Sequence, residues 1–151
     1  MIMKLENEIG QESFKSEYHK LLVNVMYTSS WIHDKIAARL KPYGLTPQQY
    51  NILRILRGQY PNPARVQLLE ERMLDRMSNA SRLVERLRQK SFVERTICEK
   101  DRRAVDVIIT DRGLKLLKLL DKTEKDWLKE FELINRNEAK QLNVILDTLR
   151  G

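Results

Sequence analysis

The sequence predicts a mainly α-helical chain with one small β-hairpin set between long terminal helices. Three observations predict it. Apolar residues recur at spacings near three and four through both ends of the chain, two β-prone runs sit side by side at "FVERTIC" and "AVDVIIT", and proline and glycine cluster at the joints between these segments. A chain of 151 residues suits one domain with a sizeable core.

From about Gln11 to Lys41, the positions Phe14, Tyr18, Leu21, Leu22, Val25, Ile32, Ile36 and Leu40 trace one face of a long helix. Pro42 and Gly44 in "KPYGL" stop it. Thr46 is a good N-cap and Pro47 suits the first helical position, so "TPQQYNILRILRG" reads as a helix closed by Gly58. Its apolar members, Tyr50, Ile52, Leu53, Ile55 and Leu56, cover much of the circumference, which predicts burial. A short helix from Gln67 to Met73 follows the Pro-rich loop, and then a helical run through "MSNASRLVERLRQK". At about 100° per residue, Ala80, Leu83, Val84 and Leu87 of that run fall on one side, and Ser78, Ser81, Arg82, Glu85, Arg86 and Gln89 on the other.

The two β-prone runs are joined by "EKDRR" and form a hairpin, with Val105, Val107 and Ile109 on one face. Thr110 caps the next helix, and Asp111 stands in its first turn, where the positive end of the helix dipole favours an acid. Leu116, Leu117, Leu120, Trp127, Phe131 and Ile134 continue an apolar stripe; Leu142, Ile145, Leu146 and Leu149 form another on a terminal helix. This order is that of a winged helix-turn-helix with helical extensions at both ends, an arrangement whose second motif helix enters the major groove of DNA.

Charge points the same way. The formal net charge is +7, and residues 45 to 112 carry 14 basic against 9 acidic residues, whereas each flank is nearly balanced. A basic middle favours a polyanion as partner. One cysteine, Cys98, leaves no internal disulfide, and it is far in sequence from His19 and His33, so no zinc site is expected. No stretch approaches the roughly 18 apolar residues of a membrane span, and the N-terminus lacks the apolar run of a signal peptide, so a cytoplasmic location is expected. No paired carboxylates in a plausible cleft, Ser/His/Asp arrangement or phosphate loop is apparent, which argues against an enzyme.

Three segments, "LTPQQYNILRIL", "SNASRLVERLRQKSFVER" and "DRRAVDVIITDRG", resemble the signature regions of the MarR family of transcriptional regulators, in the same order and at similar spacing. With its flanking helices the resemblance covers nearly the whole chain. It implies one MarR-like domain over residues 1–151, with a DNA-binding lobe at 45–112 and a dimerisation region at 11–41 and 113–151. It further implies a homodimer on a near-palindromic double-stranded DNA operator, usually a repressor, released by a small, often anionic aromatic effector. No cofactor is implied.

Arg82 and Arg86 on the exposed face can pair with guanine or clamp a phosphate, and Ser78, Asn79 and Ser81 are short donors at the helix start. Arg102 and Arg103 suit an adjacent minor groove; by family position Arg103 is the groove residue, Asp101 its salt-bridged buttress and Lys100 a phosphate contact. Tyr27, Trp31 and Tyr50 are candidates for lining an effector cleft, although such aromatics also serve simply as core. Cys98 lies close in sequence to Arg95, Lys100 and Arg102, a setting that lowers a thiol pKa, yet redox-sensing relatives tend to carry their cysteine near the N-terminal helix, where this chain has none. One departure stands out: relatives usually have glycine before the first wing strand, and here Ser91 occupies that place. If the backbone there is left-handed, serine costs roughly 1 kcal/mol. A winged-helix adaptor that binds protein rather than DNA is the alternative reading.

Overall fold

The computed structural model describes residues 3–97 and 105–151. The N-terminal helix predicted from Gln11 begins later, at Glu17, and a separate short helix stands before it. A five-residue α1 (Leu5–Ile9) precedes a 24-residue α2 (Glu17–Leu40), and Ser16 caps α2 by accepting the His19 N–H at 3.1 Å. The Lys20 ammonium meets Glu6 at 2.5 Å and the Tyr27 hydroxyl donates to Glu8 at 2.7 Å, which ties α1 to α2.

A 3₁₀ turn (Lys41–Tyr43) ends α2, and Gly44 adopts φ 65°, a left-handed conformation that closes such turns cheaply only in glycine. Thr46 then caps α3 (Pro47–Gln59) in a reciprocal box: its hydroxyl accepts the Gln49 N–H, and the Gln49 side chain accepts the Thr46 N–H, both at 3.2 Å. Gly58 stays inside this helix, which Tyr60 caps instead. Ile52, Leu53 and Leu56 of α3 are fully buried, so α3 is the axle of the core, packed against α2, α5 and α6.

Past the Pro-rich loop, β1 (Ala64–Arg65) leads directly into α4 (Val66–Arg72), and α5 (Ala80–Gln89) follows after a turn. The predicted hairpin is β2 (Val93–Ile97) and β3 (Val105–Ile109), antiparallel with Val93 opposite Ile109 and Ile97 opposite Val105. A third strand was not predicted. Ala64 pairs with Val107, so the sheet order is β1-β3-β2, and two residues are too few to show any alternation in sequence.

Thr110 caps α6 (Asp111–Leu128) by accepting the Gly113 N–H at 3.1 Å. A 3₁₀ turn (Lys129–Phe131) and α7 (Arg136–Arg150) complete the chain, the latter started by a capping box of Asn135 and Glu138. Leu117 and Leu120 join α6 to the core, whereas α7 buries none of its residues. Leu142, Val144, Ile145 and Leu149 of α7 lie exposed, as do Tyr18, Leu22 and Met26 of α2. Among the described residues no helix is long and apolar enough to cross a membrane.

Candidate nucleic-acid interface

The sidedness of α5 is built by its own sequence. Ala80, Val84 and Leu87 are fully buried, while Ser81, Arg82, Arg86 and Gln89 on the opposite face are exposed. Burying a valine or leucine side chain is worth about 1.5–3 kcal/mol, so the apolar face fixes how α5 rolls and therefore which side chains point outward. Neither Arg82 nor Arg86 has an ion-pair partner among the described residues. Two exposed guanidiniums one turn apart, neither paired with a carboxylate of the described residues, suit a phosphate or a guanine edge.

The start of α5 is more committed than its sequence suggests. Asn79 is the N-cap, its Oδ1 accepting the Arg82 N–H at 2.8 Å, which fixes the side chain and leaves its amide N–H groups as the donors for a ligand. The Ser78 hydroxyl donates to Asp75 at 2.7 Å and cannot donate to a phosphate while it does so. Asp75 also accepts the Met77 N–H at 3.0 Å and, at 3.4 Å, the Gln48 amide of α3. These donors, the Ser78 hydroxyl foremost, hold its carboxyl below the usual carboxylate range.

Sequence reasoning missed a second ionic feature beside this face. Glu85, half-buried on α5, takes Arg88 at 2.8 Å and Arg95 of β2 at 3.3 Å. The Arg88 hydrogen bonds, with Arg95 adding to them, push the Glu85 carboxyl down to about 2. The spacing of three between Glu85 and Arg88 was a readable signal; the reach to Arg95 depends on how the hairpin folds back.

Lys100, Asp101, Arg102 and Arg103, and Cys98 before them, lie outside the described residues. The strands on either side of that segment are in register with each other, and the first of them, β2, packs against α5.

The three aromatic candidates separate. Tyr50 lines a cavity of about 690 Å³ between α2, α3, α6 and the turn before α5, where Ile32, Ile36, Leu74 and Trp127 supply its apolar walls. Trp31 and Tyr27 are not among its lining residues: Trp31 packs edge-on against Phe131, and Tyr27 is held by Glu8. Arg39 reaches from α2 to the Leu120 carbonyl at 2.8 Å, its guanidinium 4.8 Å from the Trp127 ring. Arg54 donates through one nitrogen to both the Tyr50 hydroxyl, at 2.9 Å, and Glu124, at 3.1 Å. His33 also lines this cavity, whereas His19 accepts the Lys15 N–H at 3.3 Å; no cluster of three metal-binding side chains occurs among the described residues.

Comparison with known proteins places this architecture. Residues 45–105, the helix-turn-helix together with the first strand of the wing and the joining segment, match the family model described as MarR family. The chain is 32% identical over 82 residues to the HTH-type transcriptional repressor MdtR of Bacillus subtilis, a match spanning 54% of this chain and about half, 52%, of that protein. It is 29% identical over 124 residues to the HTH-type transcriptional regulator SarZ of Staphylococcus epidermidis, with 82% of each chain covered. A MarR family transcriptional regulator from Streptomyces coelicolor, solved in complex with DNA, shares the fold with a TM-score of 0.76 at 20% identity, over 91% of this chain and 89% of that one. The family match is seated on the helix-turn-helix, and the likeness in fold carries through the flanking helices, so over residues 45–105 in sequence and over most of its length in fold the chain is similar to MarR family proteins.

Proposed function

We propose that this chain regulates transcription in the cytoplasm by binding a near-palindromic DNA operator as a homodimer, as a repressor that a small aromatic effector, often anionic, releases. The exposed face of α5 carries the reading, because Arg82 and Arg86 project from it with no ionic partner among the described residues. In this reading α5 enters the major groove, with Ser78, Asn79 and Ser81 at its leading end and Arg82 and Arg86 along its side. Lys100, Arg102 and Arg103 of the wing serve the flanking backbone and minor groove, and Asp101 buttresses Arg103.

The dimer follows from the uncovered apolar side chains of α2 and α7. A helix such as α7, with no fully buried residue in its own chain, gains most by packing on a second copy, which makes residues 11–41 and 113–151 the dimerisation region and 45–112 the DNA-binding lobe of one domain. Two-fold symmetry then sets the two α5 helices roughly 34 Å apart, one turn of DNA. The cavity beside Tyr50 lies between these two regions and is the effector site in this reading.

Selection of bound sequences from a random DNA pool at fixed salt tests the proposal. A palindromic consensus with half-sites one turn apart is expected; recovery of no preferred sequence sinks it. Salt is held constant because phosphate contacts make affinity fall steeply as salt rises.

A further inference from the structure

The leading end of α5 presents a large apolar side chain on a fixed backbone. Met77, two residues before the Asn79 cap, is 94% exposed. Its main chain is nonetheless held. The Met77 N–H bonds to Asp75 Oδ1 at 3.0 Å, and Ser78 returns to the same residue twice, its N–H to the Asp75 carbonyl at 3.3 Å and its hydroxyl to Oδ2 at 2.7 Å. Leu74 of the same turn is also exposed, but it lines the cavity beside Tyr50 and Met77 does not. The polar groups next to Met77 are largely committed, since the Ser78 hydroxyl is given to Asp75 and Asn79 Oδ1 to the Arg82 N–H at 2.8 Å. What the turn still offers a partner at this point is apolar. An exposed side chain on an ordered main chain is preorganised for contact, because little backbone freedom remains to be lost on binding.

We propose that Met77 is a specificity-determining residue that packs on the 5-methyl group of a thymine in the operator. This rests on the reading of α5 as the helix that enters the major groove. In that placement the residues at the N-terminal end of the helix meet base edges. Most of what the groove shows them is polar, namely the acceptors of guanine, adenine and thymine and the amino donors of adenine and cytosine. Among the four bases its one apolar group is the thymine methyl. An unbranched thioether with three rotatable bonds can fit itself to so small a target and remove both surfaces from water. The surrounding charge favours DNA over an apolar protein surface as the occupant. Arg76 directly before Met77, and Arg82 in the first turn of α5, are exposed and have no ion-pair partner among the described residues, so phosphates are drawn to this end of the helix. The nearby carboxylate of Asp75 is occupied by the donors of its own turn.

The test starts from the sequence that the unmodified protein selects from a random duplex pool. Each thymine of that sequence is replaced in turn, in both half-sites at once, by deoxyuridine, which keeps every hydrogen-bonding group and lacks only the methyl. Affinities of the unmodified protein, Met77→Ala, Met77→Leu and Met77→Gln are measured by anisotropy at fixed salt. One position is expected at which deoxyuridine weakens the unmodified protein about fourfold per half-site, the value of one methyl group removed from contact. At that position Met77→Ala and Met77→Gln should bind thymine and deoxyuridine alike, while Met77→Leu, apolar and of similar size, should keep the preference. Truncating so exposed a side chain opens no cavity, so thermal unfolding of all three variants should match that of the unmodified protein. Equal binding of thymine and deoxyuridine at every position by the unmodified protein overturns the proposal. So does a preference that persists in Met77→Ala, or a loss in Met77→Ala that is the same on all sequences, which would put the methionine on the sugar-phosphate backbone. If the pool yields no preferred sequence, the DNA reading fails and the role of Met77 with it. If it yields a palindromic consensus without dependence on a thymine methyl, the role of Met77 alone fails and the DNA reading stands.

Discussion

Glu85 of α5 and Arg95 of β2 are joined at 3.3 Å, an ion pair that spans from the helix to the first strand of the wing and shares its carboxylate with Arg88. It places a negative charge beside the surface proposed to meet DNA and restrains two guanidiniums that are otherwise available to any phosphate. Glu85→Gln is expected to raise non-specific DNA affinity at low salt, to steepen its salt dependence by about one to two contacts, and to lower the ratio of specific to non-specific binding. Anisotropy titrations with operator and random duplexes over a salt series check this. An unchanged ratio would show that the pair has no part in discrimination.

The same carboxyl predicts a pH response. Its folded pKa of about 2 lies below the ordinary 4.5, so the pair's contribution is complete above 4.5 and is lost as the pH falls from there through 2. Glu85 should therefore still be ionised at pH 4, where ordinary glutamates are largely protonated. Carbon NMR of the side-chain carboxyl should give a midpoint near 2 in the native protein, and one moved toward 4.5 in Arg88→Ala. A native midpoint near 4.5 would falsify the assigned pairing.

Ser91 meets the condition that its sequence raised. Its φ is 60°, the left-handed conformation. The Ser91 N–H bonds to the Arg88 carbonyl at 2.8 Å and the Phe92 N–H to the Leu87 carbonyl at 3.0 Å, the pair of bonds of a Schellman C-cap on α5. Glycine takes this conformation without the Cβ penalty, so Ser91→Gly should stabilise the protein by about 1 kcal/mol, or about 2–4 °C in Tm. Urea and thermal unfolding measure it. A loss of stability would mean that the serine side chain compensates for its backbone.

Much of this architecture was legible because it is local. The Thr46 and Thr110 caps, the two faces of α5 and the hairpin strands each follow from residues within a few positions of one another. The readings that went astray depended on contacts at a distance. The helix expected from Gln11 begins at Glu17, since Ser16 caps it, and the short α1 is held by contacts at a distance, the burial of Leu5 and the bonds from Lys20 and Tyr27. β1 exists through its pairing with β3. Gly58 is tolerated inside α3 because nothing requires a turn there until Tyr60. For the site, the composition of the α5 face was readable, but the locking of Ser78 by Asp75, of Asn79 by its cap and of Arg95 by Glu85 was not.

Gly113 shows how tightly the wing joins α6. A Cβ there would lie 2.5 Å from the Phe92 carbonyl oxygen and 2.7 Å from the Ile109 side chain. That carbonyl already accepts the Thr110 N–H at 3.0 Å, so it cannot retreat without breaking a bond that registers β2 against the start of α6. Gly113→Ala should therefore destabilise the fold by about 1–3 kcal/mol despite the better helix propensity of alanine. A urea midpoint equal to or above that of the unmodified protein would contradict the close approach.

Arg82 and Arg86 give the prediction on which the DNA reading stands. They lie one helical turn apart on the face of α5 that carries no core contact, so truncating either removes charge and donors without opening a cavity. If a guanidinium reads a base edge, its alanine variant should lose about 1–3 kcal/mol of operator affinity and relax the preference at one position of the site. If it clamps a phosphate, affinity should fall alike on all sequences, and the salt slope should shrink by about one contact. In both cases the thermal stability and the oligomeric state seen in sedimentation should match those of the unmodified protein, because neither residue touches the exposed stripes of α2 and α7. Retention of full operator affinity by both variants would remove α5 from the DNA interface.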